Sequence, residues 1–385
     1  MRRKITTAAA AGALALSLAA CGGGGAGSTD STEGAGGGAE KSDITIGVAM
    51  PTETSERWIA DGNAVKDGLE KLGYKVDLQY AGDDIPTQTQ QIDQMITSGA
   101  DVLIIASIDG TALTSQLENA AAQNIPVIAY DRLIRDSENV DFYVTFDNFA
   151  VGVAQGTALL RGMGIVDEGG AKAAGVTGPF NIELFAGSPD DNNAGFFFDG
   201  AMSVLEPYIA DGTLVVKSGQ TDFDTVATLR WSQEAAQKRM EDLLTSTYSD
   251  GSKLDGVLSP FDGISRGIIT ALQGVGQGPT IEAGLPIVTG QDAEVASVKL
   301  IADGVQSSTI FKDTRKLAEQ SIKVTEAFID GEEPEANDTE TYDNGKKVVP
   351  SYLLDVDTVF TADITPLLVD SGYWTADEVA SGVSD

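Results

Sequence analysis

Acidic, amide and basic side chains follow short apolar runs of this chain at the points where strands would end. One such run, 181–185, leads into Asp190, Asp191 and Asn193. Carboxylate, amide and guanidinium groups are planar and can each bind two neighbouring hydroxyl groups, and an aromatic face can cover the apolar side of a sugar ring. These residue types therefore predict a site for a hydroxyl-rich ligand of the carbohydrate class.

Five further apolar runs end in the same way. The residues that follow them are Arg57 with Trp58, Asp131 with Arg132, Asp262, Gln291 with Asp292, and Lys312. In open α/β sheets, ligands bind in the crevice beyond the carboxyl ends of the strands, where helices also begin. We therefore expect the six groups to meet at one site. Taken alone, Trp58 would be a core residue at helical spacing with Val65 and Leu69, and Asp191 would be a helix N-cap.

The elements that must carry these residues alternate between strand and helix in two series. The first series has predicted strands at 44–50, 75–80 and 102–106 and helices at 55–72 and 86–98, with a further helix and strand ending at Tyr130. A short predicted strand at 142–145 follows, and the second series after it has predicted strands at 181–185, 213–217 and 256–258 and helices at 148–161, 193–206, 225–244 and 264–272. Runs such as 102–105 are apolar on both sides, which predicts parallel sheets covered by helices on both faces. The predicted fold class is α/β, with two doubly wound, Rossmann-like lobes.

The composition excludes several classes of function. A formal charge of -33 over 385 residues argues against nucleic acid or an anionic membrane surface as the partner. The absence of histidine removes the commonest general base, the commonest metal ligand and the usual serine and cysteine triads. The single cysteine, Cys21, allows neither an intramolecular disulfide nor a cysteine zinc site.

The N-terminal residues have the order of a secretory signal. Arg2, Arg3 and Lys4 precede an apolar run at 8–20 that is too short to span a bilayer. The run ends Leu-Ala-Ala-Cys at 18–21, which resembles a bacterial lipobox, and the glycine-rich residues that follow lack apolar bulk. We predict a signal peptide at 1–20 and, at 21–42, a lipidated Cys21 with a flexible linker. The alternative is an ordinary or twin-arginine signal with a chance cysteine.

Several longer motifs carry a resemblance to a known family. They read Met-Pro-Thr at 50–52 with Ser-Glu-Arg-Trp at 55–58, Tyr-Asp-Arg-Leu-Ile at 130–134, Phe-Asp-Asn at 146–148, Gly-Ser-Pro-Asp-Asp-Asn-Asn at 187–193, Gly-Gln-Asp-Ala-Glu at 290–294 and Phe-Lys-Asp-Thr-Arg at 311–315. With these motifs in this order, nearly the whole mature chain resembles the periplasmic-type sugar-binding proteins of bacterial ABC transporters, in the xylose, ribose and galactose class. It is similar above all to the members that bind multiple monosaccharides.

The resemblance implies a periplasmic binding protein of type I, with two lobes joined by three crossovers and closing on one sugar. The lobes would comprise 43–145 plus 311–349 and 146–310 plus 350–385. Such a protein would be no enzyme and would need no cofactor or metal. It would be a monomer, held by its lipid at the outer face of the bacterial cell membrane. It would deliver a neutral monosaccharide of the glucose, galactose, xylose or arabinose type to an ABC permease.

The resemblance also implies roles for the polar residues at the strand ends. The residues expected to contact the sugar are Arg57, Trp58, Asp131 and Arg132 in the first lobe, Asp191, Asn193, Asp262 and Asp292 in the second, and Lys312 near a crossover. Xylose-specific relatives have a tryptophan where this chain has residues 221–223, and an asparagine in place of Asp262. Both departures favour a broader or hexose-accepting pocket.

Other functions share some of these features. A receptor that presents its sugar to a sensor kinase would have the same sequence pattern. A glycosidase could use paired carboxylates from Asp191, Asp262 and Asp292, although its general acid would need a raised pKa. A repressor-type sugar sensor shares the fold, but the signal peptide and the missing DNA-binding helices argue against it.

Overall fold

The computed structural model describes residues 40–384, in which strands and helices alternate along the chain. The strands are β1 Thr45–Met50, β2 Lys75–Tyr80, β3 Val102–Ile105, β4 Val127–Tyr130, β5 Phe142–Phe146, β6 Phe180–Leu184, β7 Leu214–Val216, β8 Gly256–Leu258, β9 Ile287–Val288, β10 Thr309–Phe311, β11 Ser351–Leu354 and β12 Asp357–Val359. The helices are α1 Glu56–Leu72, α2 Ile85–Thr97, α3 Thr114–Ala122, α4 Asn148–Gly162, α5 Asn192–Ala210, α6 Phe223–Val226, α7 Gln233–Ser246, α8 Asp262–Gly274, α9 Val295–Ala302, α10 Thr314–Asp330 and α11 Ala376–Ser381. Cys21 and the predicted signal peptide lie outside the described residues.

The first lobe is built on a six-stranded parallel sheet in the order β11-β5-β4-β3-β1-β2. Strand β3 is buried on both faces: Val102 and Ile104 belong to one core and Leu103 and Ile105 to the other. Successive side chains of a strand point to opposite faces, so a continuous apolar run fills both cores. Helices α1 and α10 pack on one face and α2 and α3 on the other, as a doubly wound lobe requires.

The second lobe is built on a four-stranded parallel sheet in the order β7-β6-β8-β9. Helices α4 and α5 pack against one face and α7 and α8 against the other. Strand β10 pairs with β12 in a separate antiparallel ribbon that packs near α4. Both predicted sheets are therefore confirmed as parallel and covered on both faces.

The chain passes between the lobes three times: from β5 to α4, from β10 to α10, and from β11 to β12. The predicted boundary at 350 is wrong, because β11 pairs in parallel with β5 and belongs to the first sheet. Tyr352 and Leu354 pack against the first core, so the return to the second lobe comes after Leu354. With that change, we propose 43–145 plus 311–354 and 146–310 plus 355–385 as the division between the lobes.

The predicted helix at 225–244 is also wrong, because the structure divides it. Helix α6 ends at Val226, a turn at Leu229–Trp231 follows, and α7 begins after its N-cap Ser232, whose hydroxyl oxygen accepts a hydrogen bond from the Ala235 amide. Arg230 and Trp231 have positive φ values of 58° and 54°, which a helix cannot contain. Within residues 40–384, no helix combines the length and apolar character needed to cross a membrane.

Candidate ligand-binding site

A cavity of about 370 Å³ lies between the lobes and takes its walls from both. The first lobe contributes Thr52, Thr54, Ser55, Arg57, Trp58, Asp83, Asp131 and Arg132. The second lobe contributes Asp191, Asn193, Phe197, Arg230, Trp231, Ser232, Gln233, Phe261, Gly263, Arg266, Gln291, Asp292 and Glu294, and Lys312 stands at the crossover. Eight of the nine residues expected at the site therefore line one cavity, as the position of strand ends predicts.

Asp262 is the exception and does not line the cavity. Its carboxylate is fully buried and accepts hydrogen bonds from the Glu294 amide at 3.0 Å, the Gln306 side chain at 2.8 Å and the Thr309 hydroxyl at 3.1 Å. Burial and the neighbouring Glu294 raise the pKa of Asp262 well above its ordinary value. Asp262 thus fixes the loop that carries Asp292, and the structure places it outside the cavity wall in which it was expected.

Arg57 lies at the centre of the first-lobe wall, in the first turn of α1. Its Nη2 lies 2.7 Å from Asp131 Oδ1, its Nε donates to Asp61 Oδ2 at 3.0 Å, and its Nη1 lies 3.7 Å from Asp292 Oδ1. Its guanidinium carbon is 4.6 Å from the centre of the Trp58 ring, and that of Arg132 is 5.0 Å from it. The guanidinium group is therefore held by carboxylates and by an aromatic ring at once.

The acidic residues of the second lobe are also paired with cations. Asp191 Oδ2 lies 3.2 Å from Arg132 Nε, and Asp191 Oδ1 caps α5 by accepting from the Asn193 amide at 3.0 Å. Asp292 Oδ1 lies 2.9 Å from Lys312 Nζ. Asp191 thus caps α5 and also lines the cavity. Asp131 and Arg132 form ion pairs with other residues, not with each other.

Asn193 ties the second lobe to the first beside the cavity. Its amide nitrogen donates to the Asp131 carbonyl oxygen at 2.6 Å, and its amide oxygen accepts from the Tyr143 hydroxyl at 2.8 Å and from Asn148 at 3.1 Å. The network is buried on both sides, which favours a single arrangement of these groups. A contact between Asn193 and a ligand stays a prediction.

Burial and charge shift the carboxylates of the cavity in opposite directions. Burial acts to raise the pKa of Asp131, but Arg57 and Lys312 outweigh it and hold that pKa below its ordinary value. Burial raises the pKa of Asp191 in spite of Arg132, and that of Glu294 in spite of Arg266. Of these three carboxylates, Asp131 is therefore the best suited to remain an ionised acceptor.

Three aromatic rings of the second lobe form an apolar wall that faces the polar groups. The Trp231 ring lies 6.3 Å from Phe197 and 6.1 Å from Phe261, edge to face in both pairs. Trp231 Nε1 is buried and has no hydrogen-bond partner in the described chain. Gly187 lies against the Trp231 ring, and a Cβ at that position would overlap it. Glycine is therefore needed at 187 for the ring to approach.

Asp83, Arg266 and Glu294 line the cavity but were not predicted at the site. Arg230 and Trp231 were missed as well. Both were predicted to lie inside the helix at 225–244, where they would not face a cleft. Ser232, a preferred N-cap residue, followed by the helix-forming Gln233 and Glu234, is the signal that would have placed a new helix start after Trp231.

Comparison with known proteins identifies the family. The family model "Periplasmic binding protein domain" matches residues 46–333. The chain belongs to the periplasmic binding protein family.

Individual relatives agree over most of the chain. The multiple sugar-binding periplasmic receptor ChvE of Rhizobium radiobacter is 55% identical over 87% of this chain and 92% of its own. The multiple sugar-binding periplasmic protein SbpA of Azospirillum brasilense is 54% identical over 86% and 90%. A crystal structure of an ABC transporter solute-binding protein from Clostridium phytofermentans with bound β-D-glucose has a TM-score of 0.81 and 46% identity over 87% of this chain and 99% of that one. These relatives are receptors and binding proteins, so this periplasmic binding protein is not an enzyme.

Backbone strain in this periplasmic binding protein is concentrated at the cavity. Of eight non-glycine residues with positive φ among residues 40–384, five line it: Asp83, Asp131, Arg230, Trp231 and Asp292. Such conformations cost free energy and persist where the surrounding structure holds them, most often at functional sites. Asp131 and Asp292 were placed at the site from the end of a strand, whereas Asp83, Arg230 and Trp231 were not predicted there, and none of the five conformations follows from propensity.

The cavity wall is electrically balanced although the chain is strongly acidic. Its five cations are Arg57, Arg132, Arg230, Arg266 and Lys312, and its five anions are Asp83, Asp131, Asp191, Asp292 and Glu294. Cations can donate to a hydroxyl oxygen and carboxylates can accept from the same hydroxyl, so the wall suits a neutral polyhydroxylated ligand. In the described part of the chain, no group of three or more acidic or cysteine side chains is arranged to hold a metal ion.

Proposed function

We propose that this chain is an extracytoplasmic receptor that captures a neutral monosaccharide of the glucose or galactose type and delivers it to an ABC sugar permease. Two relatives above 50% identity are named as multiple sugar-binding proteins, and a 46% identical relative carries β-D-glucose. We expect Arg57, Trp58, Asp131, Arg132, Asp191, Asn193, Asp292 and Lys312 to contact the sugar, and we add Arg230 and Trp231.

The observation that carries the proposal is the balanced cavity, in which each acceptor has a donor beside it. A sugar hydroxyl can accept from Arg132 while it donates to Asp191, and the Lys312 and Asp292 pair offers the same arrangement. Because the cations and anions of the wall are equal in number, a neutral ligand leaves no buried charge uncompensated. The aromatic wall around Trp231 would cover the C–H face of the ring.

Binding would work through closure of the two lobes. Closure removes water from the cavity and so strengthens each polar contact, and three chain segments between the lobes can absorb the motion. A closed form that is favoured by bound sugar gives a permease a surface that differs from the empty receptor. No covalent step is required.

The lipid anchor belongs to the same proposal. A secreted receptor would stay near its permease if Cys21 were lipidated after removal of residues 1–20. We expect the protein to be labelled by a radioactive fatty acid in bacteria and the Cys21→Ser variant to carry no label. Label on both proteins would contradict the assignment to Cys21.

Titration calorimetry with several sugars tests the binding function. We expect one-to-one binding of D-glucose, and of D-galactose, D-xylose or L-arabinose as well, without formation of product. L-glucose has the same composition and opposite chirality, so it is the matched control and should give no heat of binding. If none of the D-glucose, D-galactose, D-xylose, L-arabinose and D-ribose titrations shows binding, the proposed ligand class is wrong.

A further inference from the structure

Asp61 is a buried carboxylate beneath the cavity wall. It lies four residues after Arg57 on α1, so the two side chains share a face of the helix. Its relative exposure is 0%, and it does not line the cavity. A carboxylate is rarely buried this completely without a specific partner.

Both oxygens of Asp61 are engaged, and one of them holds Arg57. Oδ2 accepts from Arg57 Nε at 3.0 Å, and Oδ1 accepts from the Tyr130 hydroxyl at 2.5 Å. Burial raises the pKa of Tyr130 well above its ordinary value, so its hydroxyl remains a donor. Tyr130 is itself fully buried at the end of β4, which fixes the position of the carboxylate.

The hydrogen bond to Asp61 determines which donors of Arg57 remain for a ligand. Asp61 accepts a hydrogen bond from Nε, and Asp131 Oδ1 forms an ion pair with Nη2 at 2.7 Å, so the guanidinium is held at two points. Nη1 is 3.7 Å from Asp292, which is beyond hydrogen-bond length, and it keeps donor capacity at the cavity. Without Asp61, the buried Nε–H would lack an acceptor, and the guanidinium would turn to satisfy it.

We infer that Asp61 is a positioning residue for ligand binding: it does not touch the ligand but fixes the guanidinium plane of Arg57, so that Nη1 is presented to a sugar hydroxyl. The inference rests on the proposed sugar-binding function. A donor fixed before the ligand arrives loses no rotamer freedom on binding, and this preorganisation increases affinity.

The test is a double-mutant cycle between Asp61 and Arg57 in the full mature protein, with D-glucose as the probe. Asp61→Ala should weaken binding ten- to a hundredfold. Asp61→Asn should stay within about threefold of wild type, because its amide oxygen can accept from Arg57 Nε and its amide N–H can donate to the Tyr130 hydroxyl oxygen. In an Arg57→Gln background, Asp61→Ala should cause no further loss, since there is no guanidinium left to position.

Asp67→Ala is the matched control, because Asp67 lies on the exposed face of the same helix and the substitution removes the same side chain. Weak affinities in the Arg57→Gln background are read from the thermal stabilisation that high D-glucose concentrations produce. If Asp61→Ala does not fold, Tyr130→Phe takes its place in the cycle. This substitution removes the hydrogen bond to Asp61 Oδ1 and should weaken binding about threefold, again only when Arg57 is present.

Two results would overturn the inference while leaving the proposed function intact. The first is that Asp61→Ala, or Tyr130→Phe where that variant does not fold, binds D-glucose with wild-type affinity. The second is that the substitution lowers affinity by the same factor in the wild-type and the Arg57→Gln backgrounds. Absence of any sugar binding by the wild-type protein would instead refute the proposed function, so the two failures are distinguishable.

Discussion

Lys312 and Asp292 show how binding and stability depend on each other at the scale of single residues. The Lys312 side chain is 2% exposed, and its only ion-pair partner among residues 40–384 is Asp292, at 2.9 Å. A buried charge that loses its partner is strongly destabilising, whereas removal of both members of a buried pair is often nearly neutral. The same two residues therefore contribute to the fold and to the cavity.

We predict that Asp292→Asn abolishes sugar binding and lowers the free energy of unfolding by about 3 to 5 kcal/mol, because Lys312 is left as an unpaired cation. Adding Lys312→Met removes that cation and should return stability toward wild type, while binding remains lost. Denaturant unfolding and calorimetry on the two variants measure the two effects separately. Binding restored in the double variant would mean that neither residue contacts the sugar.

The residues of the site were predictable to the extent that a strand end fixes a position. Asp131, Asp191 and Asp292 were found because parallel strands bring their carboxyl ends to one edge. Asp262 obeys the same rule, yet its side chain turns away from the cavity toward Gln306 and Thr309. A strand end determines where the backbone is, but the direction of a side chain depends on partners that are distant in the sequence.

At the scale of elements, the turn between α6 and α7 decides the shape of the aromatic wall. The Arg230 amide donates to the Ser188 hydroxyl at 2.8 Å, and the Thr228 amide donates to the Gly187 carbonyl at 3.1 Å, so the turn is fixed to the loop after β6. This turn could not be predicted from propensity, because residues 225–244 contain neither glycine nor proline to interrupt a helix. Its conformation is imposed by these tertiary contacts.

We predict that Gly187→Ala lowers sugar affinity at least tenfold, because the added methyl group overlaps the Trp231 ring and displaces it from the cavity. Near-ultraviolet circular dichroism should report the moved indole, and calorimetry the affinity. Gly195→Ala is the matched control, since a methyl group there meets no neighbour within 4 Å on α5. Equal affinities for the two variants would show that Trp231 does not contact the sugar.

At the scale of the whole molecule, the lobes contact each other directly as well as through the cavity. On one side, the Ser55 hydroxyl donates to Glu294 at 2.9 Å, and Glu56 accepts from the Val295 amide at 3.3 Å. Ser55 is the N-cap residue of α1 but does not cap it, because its hydroxyl bonds the other lobe instead. Because these contacts join the lobes directly, we propose that they stabilise the closed form independently of a ligand.

The second set of contacts lies at Asp190. Its carbonyl oxygen accepts from the Gly110 amide at 3.3 Å and from Arg135 Nη2 at 3.2 Å. Closure of the lobes was predicted from the family resemblance alone. The segment after 350 was assigned to the wrong lobe, because a strand of four residues can complete the edge of either sheet. The lobe to which this segment belongs follows from the pairing of β11 with β5 and not from any local pattern.

We predict that removing one contact from each side, with Glu56→Ala and Arg135→Met together, weakens sugar binding by up to about tenfold and speeds dissociation, although neither side chain lines the cavity. The physical reason is that affinity falls with the fraction of receptor in the closed form. Small-angle scattering should show a more open empty receptor and an unchanged sugar-saturated one, and stopped-flow fluorescence should give the dissociation rate. Glu70→Ala, which removes an acidic side chain from the exposed face of α1, should change neither quantity. A double variant with wild-type dissociation would mean that the cavity contacts alone hold the lobes together.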